Sequence, residues 1–177
     1  PALMDFIFMV EKTSYMFIAG PPLVEAVIFH KTTNEELGGP DVHARVSGVA
    51  DLVAADDMDC FARTRELLSY IPQNCNEPPP YEHTGDDPER CEEALADVIP
   101  TDPSKAYDIH DVIYLIVDNG RFFEIKPEFA TNLVVGFARM GGRSVGIVAN
   151  NPSVKAGILD VDATDKGARF IRFCDAI

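Results

Sequence analysis

The sequence predicts an α/β chain in two parts joined by an extended segment, and three observations carry that prediction. Apolar runs of strand length alternate with runs of helical periodicity on both sides of a central break. At the break the texture changes, with prolines at 72, 78, 79, 80, 88, 100 and 103 among many acids, a composition that keeps backbone extended. Near the far end, two strand-like runs flank Gly141-Gly142, a two-residue connection suited to the twist of a hairpin. The segments expected are 1–72, a proline-rich acidic linker over 73–107, and 108–177, with the domain boundary inside the linker.

In chain order, Asp5-Phe-Ile-Phe-Met-Val10 has strand length and composition. A second apolar run, Tyr15–Ala19, closes on Gly20-Pro21-Pro22, where proline can start a helix. Apolar residues at 23, 24, 27 and 28 extend that helix to about Phe29. Thr33 and Glu36 have the spacing of a capping box for a short helix ending at Gly38-Gly39. Asp56-Asp57 opens a longer helix, Met58–Tyr70, where negative charge suits the helix dipole, and Pro72 stops it. Within the linker a helical turn is expected at Glu89–Ala96. Beyond it, apolar positions 109, 112, 113, 116 and 117 make Asp108–Val117 a helix that Asn119-Gly120 ends. Phe122–Ile125 is a short run before Pro127, and Leu133–Met140 and Ser144–Ala149 are the hairpin strands. Asn150-Asn151-Pro152 is a loop, Ile158–Asp162 is expected as a short strand, and Thr164–Ala176 as a helix with Phe170, Ile171 and Cys174 on one side.

Composition limits what the chain can do. Its 177 residues suffice to bury a sizeable core. A formal net charge of −14 argues against binding nucleic acid, which needs a basic face, and against anionic membranes. No apolar run approaches the roughly 20 residues of a membrane span. An anionic ligand would need a local cluster within the 15 Lys and Arg residues. Cys60, Cys75, Cys91 and Cys174 lack C-x-x-C spacing and the four histidines are scattered, so reduced thiols in a cytoplasm-like compartment, with no metal site, are expected. The chain opens on Pro1 and stops at Ile177 straight after a helical pattern, so both ends read as cuts through structured regions.

Catalytic signatures are sparse. Asp41, His43 and Ser47 contain the residue types of a triad, without a nucleophile elbow, and are expected as a polar loop. Gly38-Gly39 and Gly141-Gly142 lack the spacing of a Rossmann or Walker loop. Asp160 and Asp162 on a strand would point the same way, although a solvated turn is the more ordinary role. Arg139, Arg143, Lys155, Lys166, Arg169 and Arg172 form a basic cluster late in an otherwise acidic chain. Phosphate or CoA contact and ion pairing with Asp160, Asp162 and Asp165 are equally open for that cluster.

Several strings in fixed order carry a family resemblance. They are Ala2-Leu-x-Asp-Phe-Ile-Phe-Met-Val10, Glu35-Glu-Leu-Gly-Gly39 and His43-x-x-x-Ser-Gly-Val-Ala50 in the first part. In the second they are Phe122-Phe-Glu124, Val135-Gly-Phe-Ala-Arg139, Val145-Gly-Ile-Val-x-Asn150-x-Pro152 and Lys166-Gly-Ala-Arg-Phe-Ile-Arg-Phe-Cys-Asp175. All but the linker resembles the carboxyltransferase (β) subunits of biotin-dependent acyl-CoA carboxylases, the propionyl-CoA carboxylase type above all. Thr164-Asp165, where the family often has a small neutral pair, and Ile177, where it usually has Phe, depart from the pattern.

The resemblance implies a crotonase-like fold, with 1–72 ending one such domain and 108–177 beginning a second. It implies transfer of a carboxyl group from carboxybiotin, held on a carrier protein, to the α-carbon of an acyl-CoA, with no metal in this subunit. Released biotin would help remove the α-proton, and the thioester enolate would attack CO₂. Backbone N–H groups would stabilise the enolate oxygens. The resemblance places those donors on Gly-rich turns just before Pro1 and beyond Ile177, so the chain by itself is expected to be inactive. It associates the stretch from Asp118 to Asn151 with acyl-CoA, making Arg121, Arg139, Arg143 and Asn150 the candidate contacts, or else supports of the second domain's sheet. Partners implied are a biotin carboxylase and biotin carrier subunit and further copies of the same subunit, in the cytoplasm or, in a eukaryote, the mitochondrial matrix. A transcarboxylase or sodium-pumping decarboxylase subunit, and a non-catalytic CoA-binding or oligomerisation module, are the competing expectations.

Overall fold

The computed structural model describes residues 3–102 and 105–177. Pro1, Ala2, Pro103 and Ser104 lie outside the described residues, and with them the start of the first family string and the last linker proline. The chain forms two compact units, one of residues 1–64 and 126–129, the other of 65–125 and 130–177.

The first unit is built on a parallel pair, β1 (Phe8–Val10) and β2 (Leu52–Ala54), in the register Phe8↔Leu52, Met9↔Val53, Val10↔Ala54. Parallel pairing needs a long crossover. Here α1 (Pro21–Ile28), α2 (Asn34–Gly38) and a π-helical turn, Val42–Val46, supply it. α1 starts with proline in its first turn and buries none of its residues. α2 has the expected capping box: Thr33 accepts from Glu36 N–H at 3.2 Å, and the Glu36 carboxylate accepts from Thr33 N–H at 3.0 Å.

Ile7, Met9, Ala44 and Ala50 form this unit's core, with Met16, Val49 and Val53 packed on it. A buried ion pair lies beside it. Asp51 accepts from Ile7 N–H at 2.7 Å and meets Lys126 Nζ at 3.1 Å, while Lys126 also donates to Gly48 O. Lys126 takes a left-handed backbone, φ 54°, in the short return of the chain through 126–129. α3 (Asp57–Leu68) follows β2, and the Asp56 carboxylate accepts from Asp59 N–H at 2.8 Å at its start.

The second unit centres on an antiparallel sheet of β3 (Phe122–Ile125), β4 (Leu133–Met140) and β5 (Arg143–Asn150), in that order. β4 is central and buried along both faces, which explains its near-continuous apolar sequence. On one face, Val134 and Ala138 pack against Ile113 and Val117 at the end of α5 (Ile109–Ile116). On the other, Phe137 stacks on Tyr70 at 6.0 Å and meets Phe170 of α6 (Val161–Ala176) at 5.0 Å. The alternation of β4 therefore sends Arg139 to the Tyr70 face. Gly141 and Gly142 have φ of 58° and 78°, the double left-handed geometry of the expected hairpin turn. A Cβ on Gly142 would stand 2.3 Å from Glu82 O.

Two expectations are corrected in this unit. Ile158–Asp162 is not a strand: a 3₁₀ turn, Lys155–Gly157, leads to Asp160, which caps α6 by accepting from Ala163 N–H at 3.0 Å. The alternating Asp-Val-Asp pattern resembles a strand, but an aspartate three residues before a free amide closes a cap instead. Helix α4 lies at Leu95–Val98 rather than 89–96. The described part of the proline-rich segment is mostly irregular, with turns beside α4, and it is held within the second unit by specific bonds. Glu82 N–H donates to Gly142 O at 2.9 Å, Asn119 N–H to the Asp86 carboxylate at 2.7 Å, and Arg90 to Leu115 O and Val117 O at 2.8 and 2.9 Å.

Candidate functional site

Three pieces of backbone converge at the hairpin end of the second unit. After α5, Asp118–Gly120 forms a 3₁₀ turn with Asn119 in the left-handed region, φ 53°, which turns the chain into Arg121 and β3. Asp118, only 5% exposed, is the anchor. Its two oxygens accept from Gly141 N–H at 2.9 Å, Gly142 N–H at 2.7 Å and Thr84 Oγ–H at 2.9 Å. Burial pushes this carboxyl up, and the Gly142, Gly141 and Thr84 donors outweigh burial, so its pKa lies below the ordinary value. One side chain thus fixes the hairpin turn, the α5–β3 turn and the proline-rich segment together.

Beside that anchor lies a cavity of about 160 Å³ lined by Tyr70, Glu82, Thr84, Asn119, Arg121 and Arg139, among others. Arg139 is 6% exposed. Its guanidinium sits 4.4 Å from the Tyr70 ring centroid, donates to Ser69 O at 2.8 Å, and pairs with Glu82 Oε2 at 3.0 Å. Its buried Nε has no hydrogen-bond partner among the described residues. Burial raises the Tyr70 pKa, so the ring beneath the guanidinium is a neutral phenol at physiological pH. Arg121, with 61% of its side chain exposed, stands at the mouth, 4.0 Å from Glu82 Oε1 and 3.8 Å from Glu66 Oε1.

Of the four candidate contacts read from the sequence, the structure brings Arg121 and Arg139 to this one recess. Arg143 is exposed at the start of β5, paired in register with Met140. Asn150 ends the same strand opposite Leu133, about 23 Å from Arg143 at the usual strand rise, and donates to Gly157 O at 2.6 Å. Sequence reasoning missed Tyr70, Glu82, Thr84 and Asn119 as lining. Asn119-Gly120 carried a signal, as a turn, but nothing in the proline-rich segment marked Glu82.

The other sequence candidates resolve differently. His43 Nδ1 lies 2.9 Å from Ser47 Oγ, but Nε2 contacts Met16 O at 2.7 Å, and Asp41 stands 3.7 Å from Arg45. The third member of a triad is therefore a backbone carbonyl, not a carboxylate. Asp160 and Asp162 are not paired on a strand. The Asp160 carboxyl is held down to about 2, first by Lys155 and then by the Ala163 N–H and Asn132. Within the basic cluster, Lys155 is in that ion pair and Lys166 is buried. Among the described residues no helix is long and apolar enough to cross a membrane.

Comparison with known proteins gives a consistent result. The carboxyl transferase domain model matches residues 1–177. The chain is 51% identical over 176 residues to the carboxyltransferase subunit of propionyl-CoA carboxylase from Haloferax mediterranei, covering 99% of the chain and 34% of that protein. It is 50% identical over 176 residues to the alpha subunit of methylmalonyl-CoA decarboxylase from Veillonella parvula, covering 99% of the chain and 35% of that protein. The chain thus spans about a third of the length of these curated relatives.

Among solved structures, it superposes on the transcarboxylase 12S hexamer crystallised with hydrolysed methylmalonyl-CoA at a TM-score of 0.95. Identity there is 46%, covering 100% of the chain and 35% of that protein. A single-chain, multi-domain long-chain acyl-CoA carboxylase superposes at 0.79, with 26% identity, covering 99% of the chain and 17% of that protein. The α/β arrangement is therefore the crotonase-like one implied by the sequence, and the chain belongs to the carboxyl transferase domain family.

Proposed function

We propose that the protein carrying this chain is the carboxyltransferase subunit of a biotin-dependent acyl-CoA carboxylase, with propionyl-CoA as acceptor. The observation that carries this reading is the 51% identity across 176 residues to a propionyl-CoA carboxylase subunit. Carboxybiotin, delivered on a carrier protein by a biotin carboxylase partner, is the second substrate. The carboxyl group leaves carboxybiotin as CO₂, the biotin anion so formed takes the proton from the acyl α-carbon, and the resulting enolate adds to CO₂ to give a malonyl-type thioester. Within this reading, residues 1–72 end one crotonase-like domain, 73–107 connect, and 108–177 begin the next. The chain's own contribution is to hold acyl-CoA: Arg121 and Arg139 bind its anionic end. Arg143 and Asn150, at opposite ends of β5, meet other parts of the ligand or brace the strand. Assembly with further copies of the subunit, in the cytoplasm or the mitochondrial matrix, completes the proposal.

A second reading has its own support, since the methylmalonyl-CoA decarboxylase subunit from Veillonella parvula is 50% identical over the same length. In this second reading the same transfer runs from the malonyl-type thioester to biotin. One experiment tests both. The whole protein that carries this chain is purified and incubated with free carboxybiotin and propionyl-, acetyl- or butyryl-CoA, and the CoA products are identified by mass spectrometry. Methylmalonyl-CoA, formed in preference to the other products, supports the proposal. Absence of any carboxylated thioester, together with no binding of acyl-CoA, overturns it. Reconstitution with the companion subunits then separates the directions: ATP-dependent carboxylation favours the carboxylase, sodium-dependent decarboxylation the decarboxylase.

A further inference from the structure

The two arginines of the recess already share an anion. Glu82 presents one carboxylate oxygen to each guanidinium, Oε2 at 3.0 Å from Arg139 and Oε1 at 4.0 Å from Arg121. We propose that this recess takes a single phosphate group, and that Glu82 stands in its place as an internal anion which the ligand displaces. The inference deepens the acyl-CoA reading and rests on its assignment of Arg121 and Arg139.

Three features support it. The Glu82 backbone is pinned by its N–H bond to Gly142 O, while its side chain is 46% exposed. The carboxylate can therefore swing into water without unfolding the segment, and its pairing with the exposed Arg121 at 4.0 Å contributes little stability to lose. Arg139, by contrast, cannot leave. It is buried over Tyr70 and tied to Ser69, and its Nε is a buried donor with no partner among the described residues. The other carboxylate of the lining, Asp118, is already met by three donors, which offset its charge.

Size and shape then select the ligand. About 160 Å³ is the space of roughly five water molecules, enough for one phosphate group with a little water. It is too small for a nucleoside, which would remain outside the mouth beside Arg121. Two guanidiniums, one fixed and one mobile, suit a tetrahedral dianion through paired N–H donors.

The test is calorimetric titration of the protein with inorganic phosphate at low ionic strength, with circular dichroism to confirm that each variant is folded. Glu82→Gln is expected to bind phosphate about three- to fivefold more tightly than wild type, the scale of one exposed ion pair. Arg121→Met is expected to bind at least about threefold more weakly, by the same scale. Arg139→Lys, which keeps the charge and loses the planar fork of donors, is expected to weaken binding similarly. If Glu82→Gln binds no more tightly, or Arg121→Met binds as wild type does, the proposal is overturned. CoA and 3′-dephospho-CoA, used as competitors, identify the source of the phosphate group. Competition by CoA but not by dephospho-CoA places the 3′-phosphate in the recess, and competition by both places the diphosphate there. Phosphate binding that follows the Glu82 and Arg121 variants, but that neither compound displaces, upholds the recess and removes the two arginines from acyl-CoA. CoA binding that ignores all three variants, with no phosphate bound, overturns the recess and leaves the carboxyl-transfer reading standing.

Discussion

Replacing Asp118 by Asn tests how one side chain organises the candidate site. In the native protein two backbone N–H groups of the Gly141-Gly142 turn and the Thr84 hydroxyl all donate to its carboxylate, at 2.7 to 2.9 Å. An amide has a single acceptor oxygen. Turned to serve Gly142 and Thr84, it points its NH₂ at the Gly141 N–H; turned the other way, it faces two donors with NH₂. At least one donor is left unsatisfied, at about 1–3 kcal/mol, and the surviving bonds lose the strength that a charged acceptor gives them. The sum is roughly 2–4 kcal/mol of stability at neutral pH, or a melting temperature lower by roughly 5–15 °C for a chain of this size.

The pH dependence supplies an internal check. Because the folded pKa of Asp118 lies below its unfolded value, its contribution is fully present above the unfolded carboxylate pKa, about 3.9. It is lost as pH falls through the lower folded value. The gap between wild type and Asp118→Asn in urea unfolding is therefore constant from pH 7 to about 5 and narrows below about 4. A variant within about 0.5 kcal/mol of wild type at pH 7, or a gap that widens on acidification, would refute the reasoning.

Other expectations follow from the same kind of bookkeeping. His110 lies 2.6 Å from Asp108 and 3.0 Å from Glu124; burial lowers its pKa, and the two carboxylates outweigh burial and raise it. Its protonated form thus stabilises the fold fully below about pH 6.5, and the contribution is lost as pH rises through the folded value; His110→Gln should flatten the stability profile above pH 6.5. Asp51→Asn takes the negative charge away from the buried Lys126 ammonium and is expected to cost about 3–5 kcal/mol in urea unfolding; a loss under 1 kcal/mol would contradict the buried pair. Gly136→Ala puts a Cβ 2.4 Å from Phe123 O in the middle of the sheet and should prevent close pairing of β3 with β4, read as a lost melting transition or a large fall in its midpoint. Under the proposed function, which gives Arg121 the anionic end of acyl-CoA and no reacting atom, Arg121→Met in the whole protein should raise the KM for acyl-CoA while leaving kcat near wild type.

Much of the fold was legible because it is written locally. The Thr33 and Glu36 capping box is a contact between residues three apart, and the hairpin turn needs only two glycines with positive φ. β2 was not legible, since three residues carry no periodicity and its partner β1 lies more than forty positions away. The start of α6 was hidden by an aspartate whose capping role shows only in geometry. The site shows the same division. Arg139 stood out as a cation in an acidic chain, whereas the partners that give it a role, Ser69 and Glu82, come from distant parts of the sequence. Composition described the segment around Glu82 as a linker, and only the tertiary bonds to Asn119 and Gly142 make it one wall of a cavity.

The central claim, that the protein carries a carboxyl group between biotin and an acyl-CoA, is tested most directly by following the carbon itself. Methylmalonyl-CoA labelled with ¹³C in its free carboxyl group is incubated with free biotin and the whole purified protein that carries this chain, and the biotin is analysed by mass spectrometry. The account predicts labelled carboxybiotin and an equivalent amount of propionyl-CoA, formed only when biotin is present. Propionyl-CoA released at the same rate without biotin, or a thioester that stays intact under every condition, would contradict it.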